Sequence, residues 1–211
     1  MKKHFEAMRK AGFSLALFAF ISVLLVSVTN KLTQQKILDN QASMLLSALN
    51  EIVPSSEYDN DLIQSKTILP AQETGFANDT PLYLATKNGQ AATAIFEVTT
   101  LKGYSGAITL LIGINAKDQQ ISGVRIVKHK ETPGLGDKME TRKSDWVYAF
   151  NNKSLGNPAI NGWQVKKDGG QFDQFTGATI TPRAIVNAVR STLLYVQKNN
   201  NKVFKIKLGN D

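Results

Sequence analysis

Apolar residues divide the chain into one long N-terminal run and a series of shorter segments. Residues 11–28 form an unbroken stretch of 18 uncharged, mostly apolar residues. A helix rises about 1.5 Å per residue, so this run just crosses the hydrocarbon core of a bilayer. A cleavable signal peptide is the alternative, but the run is long for one and no small-x-small site follows it. We predict an uncleaved transmembrane anchor over residues 11–30.

The charges before this run predict its orientation. Four cations and a single acid precede the span, and positively charged flanks stay in the cytoplasm. The cations are Lys2, Lys3, Arg9 and Lys10. We therefore predict a single-pass protein of the bacterial inner membrane, with a cytoplasmic N-terminal tail at residues 1–10 and its main domain in the periplasm.

Residues 31–80 connect the anchor to the main domain. Apolar positions continue at helical spacing as far as Val53, which predicts a membrane-proximal helix over residues 31–53. Residues 54–80 are polar and lack periodicity, which predicts an irregular linker. The main domain is then predicted to span residues 81–211.

The first part of this domain has the pattern of β-strands. Apolar and β-branched arms flank Asn88-Gly89, the strongest short signal for a hairpin. Two further arms, residues 107–115 and 121–129, are joined by a polar turn. No helix-sized segment separates these strands, so we expect them to pair mostly antiparallel.

Helical patterns return after the strands. Residues 138–152 predict a helix, and "GWQVKKDGGQF" predicts a short strand that ends in a Gly-Gly turn. Thr181 and Pro182 predict the N-cap and first residue of a last helix, residues 182–197. Its apolar face is formed by Ile185, Val189, Leu193 and Val196. The fold class is therefore α+β: one N-terminal transmembrane helix, then a single, mostly antiparallel sheet domain with flanking helices.

Composition excludes several classes of function. The chain has 211 residues, a net charge of +8, two histidines and no cysteine. Many of its cations lie near the two ends and no basic stripe is interleaved with aromatics, so we predict no nucleic-acid partner. A structural zinc site is excluded without cysteine, and neither G-x-S-x-G nor G-x-G-x-x-G occurs. We predict no catalytic residue and no metal ligand.

Two loops remain as candidates for chemistry. The first is "KHKETPGLGDK", residues 128–138, where Pro133, Gly134 and Gly136 form a turn whose backbone can lie close to a ligand. An ordinary connection between a strand and a helix is the alternative for this loop.

The second loop is "DQFTGATITP", residues 173–182. The free N–H groups and the positive dipole end of the last helix lie beside "TGAT", a natural place for a phosphate. Gly177 and Ala178 leave room for a ligand, and the hydroxyls of Thr176 and Thr179 lie on either side. Two threonines that only decorate a turn are the alternative interpretation.

"DQFTGAT" also matches D-x-x-[ST]-G-A-[ST], the motif of proteins that carry FMN esterified through its phosphate to the last residue of the motif. The order of "GYSGAITLL", "HKETPGLGDK", "SDWVYAF" and "WQVKKDGGQFDQFTGATITPRAIVNAV" resembles the G subunit of the Rnf/Rsx ion-translocating electron-transport complex. The C subunit of the sodium-pumping NADH:quinone reductase is a more distant relative. The resemblance covers nearly the whole chain and implies an FMN-binding domain.

The resemblance assigns roles to individual residues. Thr179 would be the covalent attachment residue, and Asp173 would be read by a flavin transferase. The rest of the attachment motif is Thr176, Gly177 and Ala178. The loop expected to lie against the isoalloxazine comprises Glu131, Thr132, Gly134, Leu135 and Gly136, with Thr132 and Leu135 as its expected contacts. The turn Tyr104–Gly106 is a weaker candidate for the wall of the site.

By the same resemblance, the expected function is that of an electron carrier with covalent FMN. The chain would pass electrons between subunits of a membrane complex and would not itself bind NADH, so it is a redox subunit rather than an independent enzyme. Its expected partners are the other subunits, the flavin transferase and the lipid bilayer. A stand-alone periplasmic flavin-dependent reductase and a non-redox scaffold subunit are the alternatives.

Overall fold

The chain forms two compact units, Met1–Met44 and Leu45–Asp211. The structure, a computed structural model, describes residues 2–205. Met1, at the start of the predicted tail, and residues 206–211, at the end of the predicted domain, lie outside the described residues.

One long helix, α1, runs from Lys2 to Asn50. Its segment Met8–Asn50 is, among residues 2–205, the single helix long and apolar enough to cross a membrane. This agrees with a single-pass anchor. The predicted membrane-proximal helix is present as the continuation of α1, which ends three residues before the predicted Val53. The side of the membrane on which the N-terminus lies stays a prediction.

The second unit is built on a five-stranded sheet whose strand order follows the sequence, β1-β2-β3-β4-β5. The strands are β1 Thr67–Leu69, β2 Thr80–Lys87, β3 Gln90–Gly103, β4 Gly106–Asn115 and β5 Ile121–Lys128. All four pairings are antiparallel, as predicted. Asn88 and Gly89 both have positive φ, 53° and 72°, as a two-residue type I′ hairpin turn requires.

The predicted irregular linker contributes to the domain. β1 pairs with β2, and the short helix α2, Ala71–Thr74, follows β1. Leu62 and Leu69 are buried in the domain. A three-residue strand is too short to show alternation in the sequence, so the segment has no visible period. The compact unit that contains the sheet begins at Leu45.

Each face of the sheet is covered by a different segment. The last helix, α3, spans Ile180–Phe204 and packs on the face formed by side chains such as Phe96 and Ile112. The four residues predicted to form its apolar face are all buried: Ile185, Val189, Leu193 and Val196. The opposite face is covered by the end of α1 and the segment that follows it, through Leu49, Ile52, Val53 and Leu62.

The region between β5 and α3 differs from its prediction. Residues 138–152 do not form one α-helix but lie partly in two short 3₁₀ helices, Gly136–Met139 and Trp146–Phe150. Ser144 explains the interruption: its hydroxyl donates to Lys138 O (2.5 Å) and accepts the N–H of Trp146 (3.2 Å). Side-chain bonds of this kind compete with the helical ladder.

The predicted short strand in "GWQVKKDGGQF" is also absent. Val165 and Phe172 form an isolated bridge around a 3₁₀ helix, Lys166–Asp168. Stacked aromatic rings organise this segment instead, with Phe172 4.7 Å from Phe150 and 5.0 Å from Trp163 between ring centroids. Such contacts depend on residues distant in sequence, so the local pattern could not predict them.

Gly113 provides a test of the packing on the second face. A Cβ built on Gly113 would overlap Cγ2 of Ile52. We expect Gly113→Ala to lower the free energy of unfolding by about 1–3 kcal/mol, the usual cost of overpacking. Urea unfolding of the full chain in detergent, followed by tryptophan fluorescence, measures this. Gly156→Ala is the control, because a Cβ there meets only Ser154 Oγ at 4.0 Å; an equal loss in both variants would contradict the packing argument.

Candidate functional site

A tight turn presents the threonine motif. The N–H of Ala178 donates to Phe175 O at 3.1 Å, so residues 175–178 close a β-turn. Gly177, at the third position, has φ of 80°, the conformation that a type II turn reserves for glycine. Thr176 is exposed in this turn, and Thr179 follows it at once.

The start of α3 differs from its prediction. The helix begins at Ile180, with Thr179 at the N-cap, so Thr181 is its second residue and Pro182 its third. Proline is tolerated in this first turn because the N–H it lacks would have had no helical partner. Thr181 is fully buried instead of capping the helix. The prediction that Thr181 is the N-cap was therefore wrong.

The hydroxyl of Thr179 does not cap the helix. Its φ and ψ are −88° and −29°, already helical, and its side chain makes no capping hydrogen bond. Its carbonyl accepts the N–H of Arg183 at 3.2 Å. Thr179 is half-buried at the positive end of a 25-residue helix. The N–H groups of Ile180 and Thr181 lie in the first turn of α3, where no preceding helical carbonyl is available to accept them. A reactive or esterified oxygen on Thr179 would lie beside these N–H groups.

A cation lies one helical turn after Thr179. The Nε and Nη2 atoms of Arg183 donate to the two carboxylate oxygens of Asp168, at 2.6 and 2.7 Å. This hydrogen bonding lowers the pKa of Asp168. Arg183 was not identified from the sequence, although its i+4 spacing from Thr179 was the available signal. The carboxylate of Asp168 offsets this charge, so the pair as a whole is close to neutral.

The loop after β5 is anchored by a buried carboxylate. Glu131 is 5% exposed, and its Oε1 accepts the N–H of Ser105 at 2.9 Å. Its Oε2 accepts the hydroxyl of Thr181 at 2.6 Å. One side chain thus joins the β3–β4 turn, the loop and the first turn of α3. Its carboxylate is therefore enclosed between these segments.

The rest of the loop is a compact exposed turn. The carbonyl of Thr132 accepts the N–H groups of Leu135 (3.2 Å) and Gly136 (3.1 Å). Gly134 has φ of 78°, and its N–H donates to the buried carboxylate of Asp137 at 2.8 Å. Residues 132–135 are exposed, whereas Gly136 is buried. The sequence predicted the turn but not Asp137, which stabilises it.

The two predicted loops meet. A Cβ at Gly177 would lie 3.4 Å from Cδ2 of Leu135, so the loop and the threonine turn are in van der Waals proximity. Leu135 is 43% exposed, and Ile180 beside Thr179 is also exposed. The fold therefore brings together an apolar exposed side chain and the free hydroxyl of Thr179. Tyr104, in the adjoining β3–β4 turn, is exposed as well.

Asp173 lies on the surface, apart from this cluster of contacts. Its carboxylate is 67% exposed and pairs with Lys166 Nζ at 2.5 Å. Its carbonyl accepts the indole N–H of Trp146 at 2.7 Å. The backbone at Asp173 is therefore fixed to the domain, while its carboxylate is open to solvent.

His129 supports the start of the loop and was not identified from the sequence. Its Nδ1 accepts the N–H of Glu131 at 3.1 Å, and its Nε2 lies 2.8 Å from Glu140 Oε1. Arg142 also bonds to Glu140, and chiefly this bond lowers the pKa of the Glu140 carboxyl. With Nδ1 acting as acceptor, Nε2 is the nitrogen that donates to Glu140.

Two recesses of the domain lie away from the two loops. A cavity of about 170 Å³ is lined by residues such as Asp118, Ser154 and Leu193, and one of about 260 Å³ includes Lys153 and Phe172. Neither is lined by a residue of the threonine turn or of the loop after β5. These two cavities are therefore separate from the candidate site at Thr179.

The comparisons with known proteins agree with this geometry. Residues 103–194 match the family described as the FMN-binding domain, and residues 1–52 match the RnfG N-terminal region. The first match contains both loops and Thr179. The fold and the site thus define a protein of the FMN-binding-domain class.

Relatives over the whole chain narrow this class to one family. The G subunit of the ion-translocating oxidoreductase complex of Pseudoalteromonas atlantica is 46% identical, over 94% of this chain and 93% of the relative. Its counterpart in Photorhabdus laumondii is 47% identical, over 91% of each chain. A crystal structure of Shewanella oneidensis NqrC covers 71% of this chain and 72% of that one, with 20% identity and a TM-score of 0.47. The chain belongs to the family of G subunits of ion-translocating oxidoreductase complexes, which confirms the resemblance predicted from the sequence.

Gly177 tests the turn that presents Thr179. A residue other than glycine at positive φ costs about 1–2 kcal/mol, and asparagine tolerates this conformation better than alanine. We expect Gly177→Ala to lower the urea midpoint of the full chain more than Gly177→Asn does. An alanine variant as stable as wild type would contradict the turn conformation.

Proposed function

We propose that the chain carries FMN in a phosphoester bond to Thr179 and serves as an electron-carrier subunit of a membrane-bound, ion-translocating electron-transport complex. Three findings support this: membership of the G-subunit family, the match to the FMN-binding domain, and an apolar helix fit to cross a membrane.

The main support for Thr179 as the attachment site is that three neighbouring threonines differ in burial and hydrogen bonding. Thr181 is fully buried and its hydroxyl is bonded to Glu131. Thr176 is exposed in the turn, one residue before Gly177. Thr179 alone of the three occupies the N-cap, where its hydroxyl makes no capping bond. Only at Thr179 does a free hydroxyl coincide with the end of the helix that favours a phosphate.

The residues around Thr179 suit a phosphoester of FMN. The backbone N–H groups of Ile180 and Thr181 would stabilise the phosphate. The exposed side chains of Thr132 and Leu135 offer contacts for the flavin ring. Bound FMN would supply reversible electron transfer, which no side chain can supply. The role of the protein would be to hold the phosphate, orient the flavin ring and exclude water from one side of that ring.

The N-terminal part of the chain supports a membrane location for this carrier. The apolar segment of α1 would anchor it in the bacterial inner membrane, and the cations before that segment favour a cytoplasmic N-terminus. The FMN-binding domain would then lie in the periplasm and exchange electrons with other subunits of the complex. The domain has an antiparallel sheet without a G-x-G-x-x-G loop, which argues against direct binding of NADH.

Asp173 suits recognition by a flavin transferase rather than contact with the bound cofactor. Its carboxylate is exposed, and its partner Lys166 is exposed too, so an approaching enzyme could replace this ion pair. Exposed ion pairs of this kind contribute about 0–1 kcal/mol, so the pair has little structural value. The fixed backbone at Asp173 would present the carboxylate in a defined place.

Removal of the Thr179 hydroxyl tests the attachment site. We expect Thr179→Ala, coexpressed with the flavin transferase, to be folded and to lack covalent flavin, and Thr179→Ser to retain it, because only the hydroxyl reacts. Intact-protein mass and in-gel flavin fluorescence after denaturation measure attachment. Thr176→Ser, which keeps the D-x-x-[ST]-G-A-[ST] motif, is the control and should keep its flavin. A flavinylated Thr179→Ala protein would contradict the proposal, and a wild-type chain without flavin would favour a scaffold role.

Asp173 provides a separate test of transferase recognition. We expect Asp173→Ala to reduce the flavinylated fraction sharply while changing stability by no more than about 0.5 kcal/mol, as is usual for an exposed side chain. Lys166→Ala breaks the same ion pair from the other side and should leave flavinylation intact. Covalent flavin and the urea midpoint are measured on the same sample. Full flavinylation of Asp173→Ala with a lowered midpoint would assign the residue a structural role instead.

A further inference from the structure

Glu131 is a buried carboxylate that has no cationic partner. Its two oxygens accept one hydrogen bond each, from the N–H of Ser105 and the hydroxyl of Thr181. Among residues 2–205, no Lys, Arg or His nitrogen forms an ion pair with it. Burial of a charge is costly unless hydrogen bonds compensate it. These two bonds therefore hold the carboxylate in one place.

The backbone around Glu131 is shaped to its side chain. A Cβ at Gly103 would lie 2.9 Å from its Oε1, and a Cβ at Gly136 would lie 2.8 Å from its Oε2. At Gly136 a Cβ would also lie 2.8 Å from Cβ of Glu131, so the Glu131 side chain requires glycine there. At Gly103 the nearest atom is Gly106 O at 2.3 Å, so the β3–β4 turn itself requires that glycine. The β3–β4 turn and the loop after β5 thus enclose the carboxylate between them.

Glu131 also reaches the helix that carries the attachment residue. Thr181 lies two residues after Thr179, and its bond to Glu131 is short and charge-assisted. Bonds of this type are about twice as strong as bonds between neutral groups. The spacing between the first turn of α3 and the exposed residues 132–135 therefore depends on the side chain of Glu131.

We propose that Glu131 is a positioning residue for the flavin: it fixes the loop at residues 132–136 against the Thr179-bearing end of α3 without touching the cofactor. The burial of its carboxylate favours this role over the direct contact with the isoalloxazine that the resemblance implies. The inference rests on the proposed attachment of FMN to Thr179. Loss of the Glu131–Thr181 bond then frees the exposed loop to move relative to the ring.

Thr181 allows a test that leaves Glu131 itself in place. Thr181→Val keeps the size of the side chain and removes the donor, whereas Thr181→Ser retains it. Thr192→Val is the matched control, since Thr192 is equally buried in α3 but bonds only to Ala188 O of its own helix. The full chain of each variant is coexpressed with the transferase and purified in detergent.

Two measurements read the position of the loop. Hydrogen exchange of the peptides that cover residues 103–106 and 131–137 reports the loop without any flavin. Iodide quenching of the flavin fluorescence and the flavin midpoint potential report the environment of the ring. We expect Thr181→Val to speed exchange in these peptides by about tenfold or more, as for loss of a hydrogen bond to a charged group. The same variant should also increase quenching and shift the potential.

The controls separate positioning from general stability. Thr181→Ser should restore wild-type exchange, quenching and potential. Thr192→Val should lower the unfolding midpoint while leaving all three at wild-type values. If Thr181→Val fails to fold, Glu131→Met replaces it, because methionine has a similar length and removes both acceptor oxygens; the same faster exchange is expected.

Thr181→Val that changes exchange in residues 103–106 and 131–137 no more than Thr192→Val does would overturn the inference. Faster exchange with unchanged quenching and potential would overturn it too, because the loop would then be independent of the flavin. Wild-type protein without covalent flavin would refute the proposed attachment instead, and the exchange measurement would still decide whether Glu131 fixes the loop.

Discussion

The hydrogen bond between the hydroxyl of Thr181 and the carboxylate of Glu131 is the interaction on which the site depends. It joins residues fifty positions apart in the chain and draws Thr181 into the interior. The N-cap of α3 therefore falls on Thr179, whose hydroxyl is left without a capping partner. The same carboxylate bonds to the β3–β4 turn through Ser105, so three segments meet at one buried charge.

The sheet and its two covering layers make this meeting point stable. α3 packs its apolar face along the sheet, which fixes the position of its N-terminal turn. The consecutive antiparallel strands place the β3–β4 turn and the loop after β5 at the same end of the sheet. The exposed residues of the site are then carried by a rigid core, as expected for functional loops on a scaffold.

Features with strong local signals were predictable from the sequence. The Asn88-Gly89 turn needs positive φ at both residues, and the face of α3 follows a helical period over about three turns, so both were predicted correctly. Ser144 interrupts residues 138–152 through bonds that a hydrophobic pattern cannot reveal. β1 is too short for a period, and the strand predicted near Val165 gave way to packing among distant aromatic rings. Predictions from the local sequence pattern alone were therefore wrong for these three segments.

The candidate site shows the same division. The attachment motif and the glycine-rich loop are recognisable as stretches of sequence, and the fold brings them into contact through Leu135 and Gly177. A threonine before a proline normally predicts an N-cap, so the role of Thr181 was misassigned. Its true partner lies in another loop, and the supporting roles of His129, Asp137 and Arg183 likewise depend on tertiary contacts. The most direct test of the account is tandem mass spectrometry of flavinylated wild-type protein, on the tryptic peptide of residues 168–183 that contains all three threonines. The account predicts FMN on Thr179 alone; FMN on Thr176 or Thr181 would contradict it.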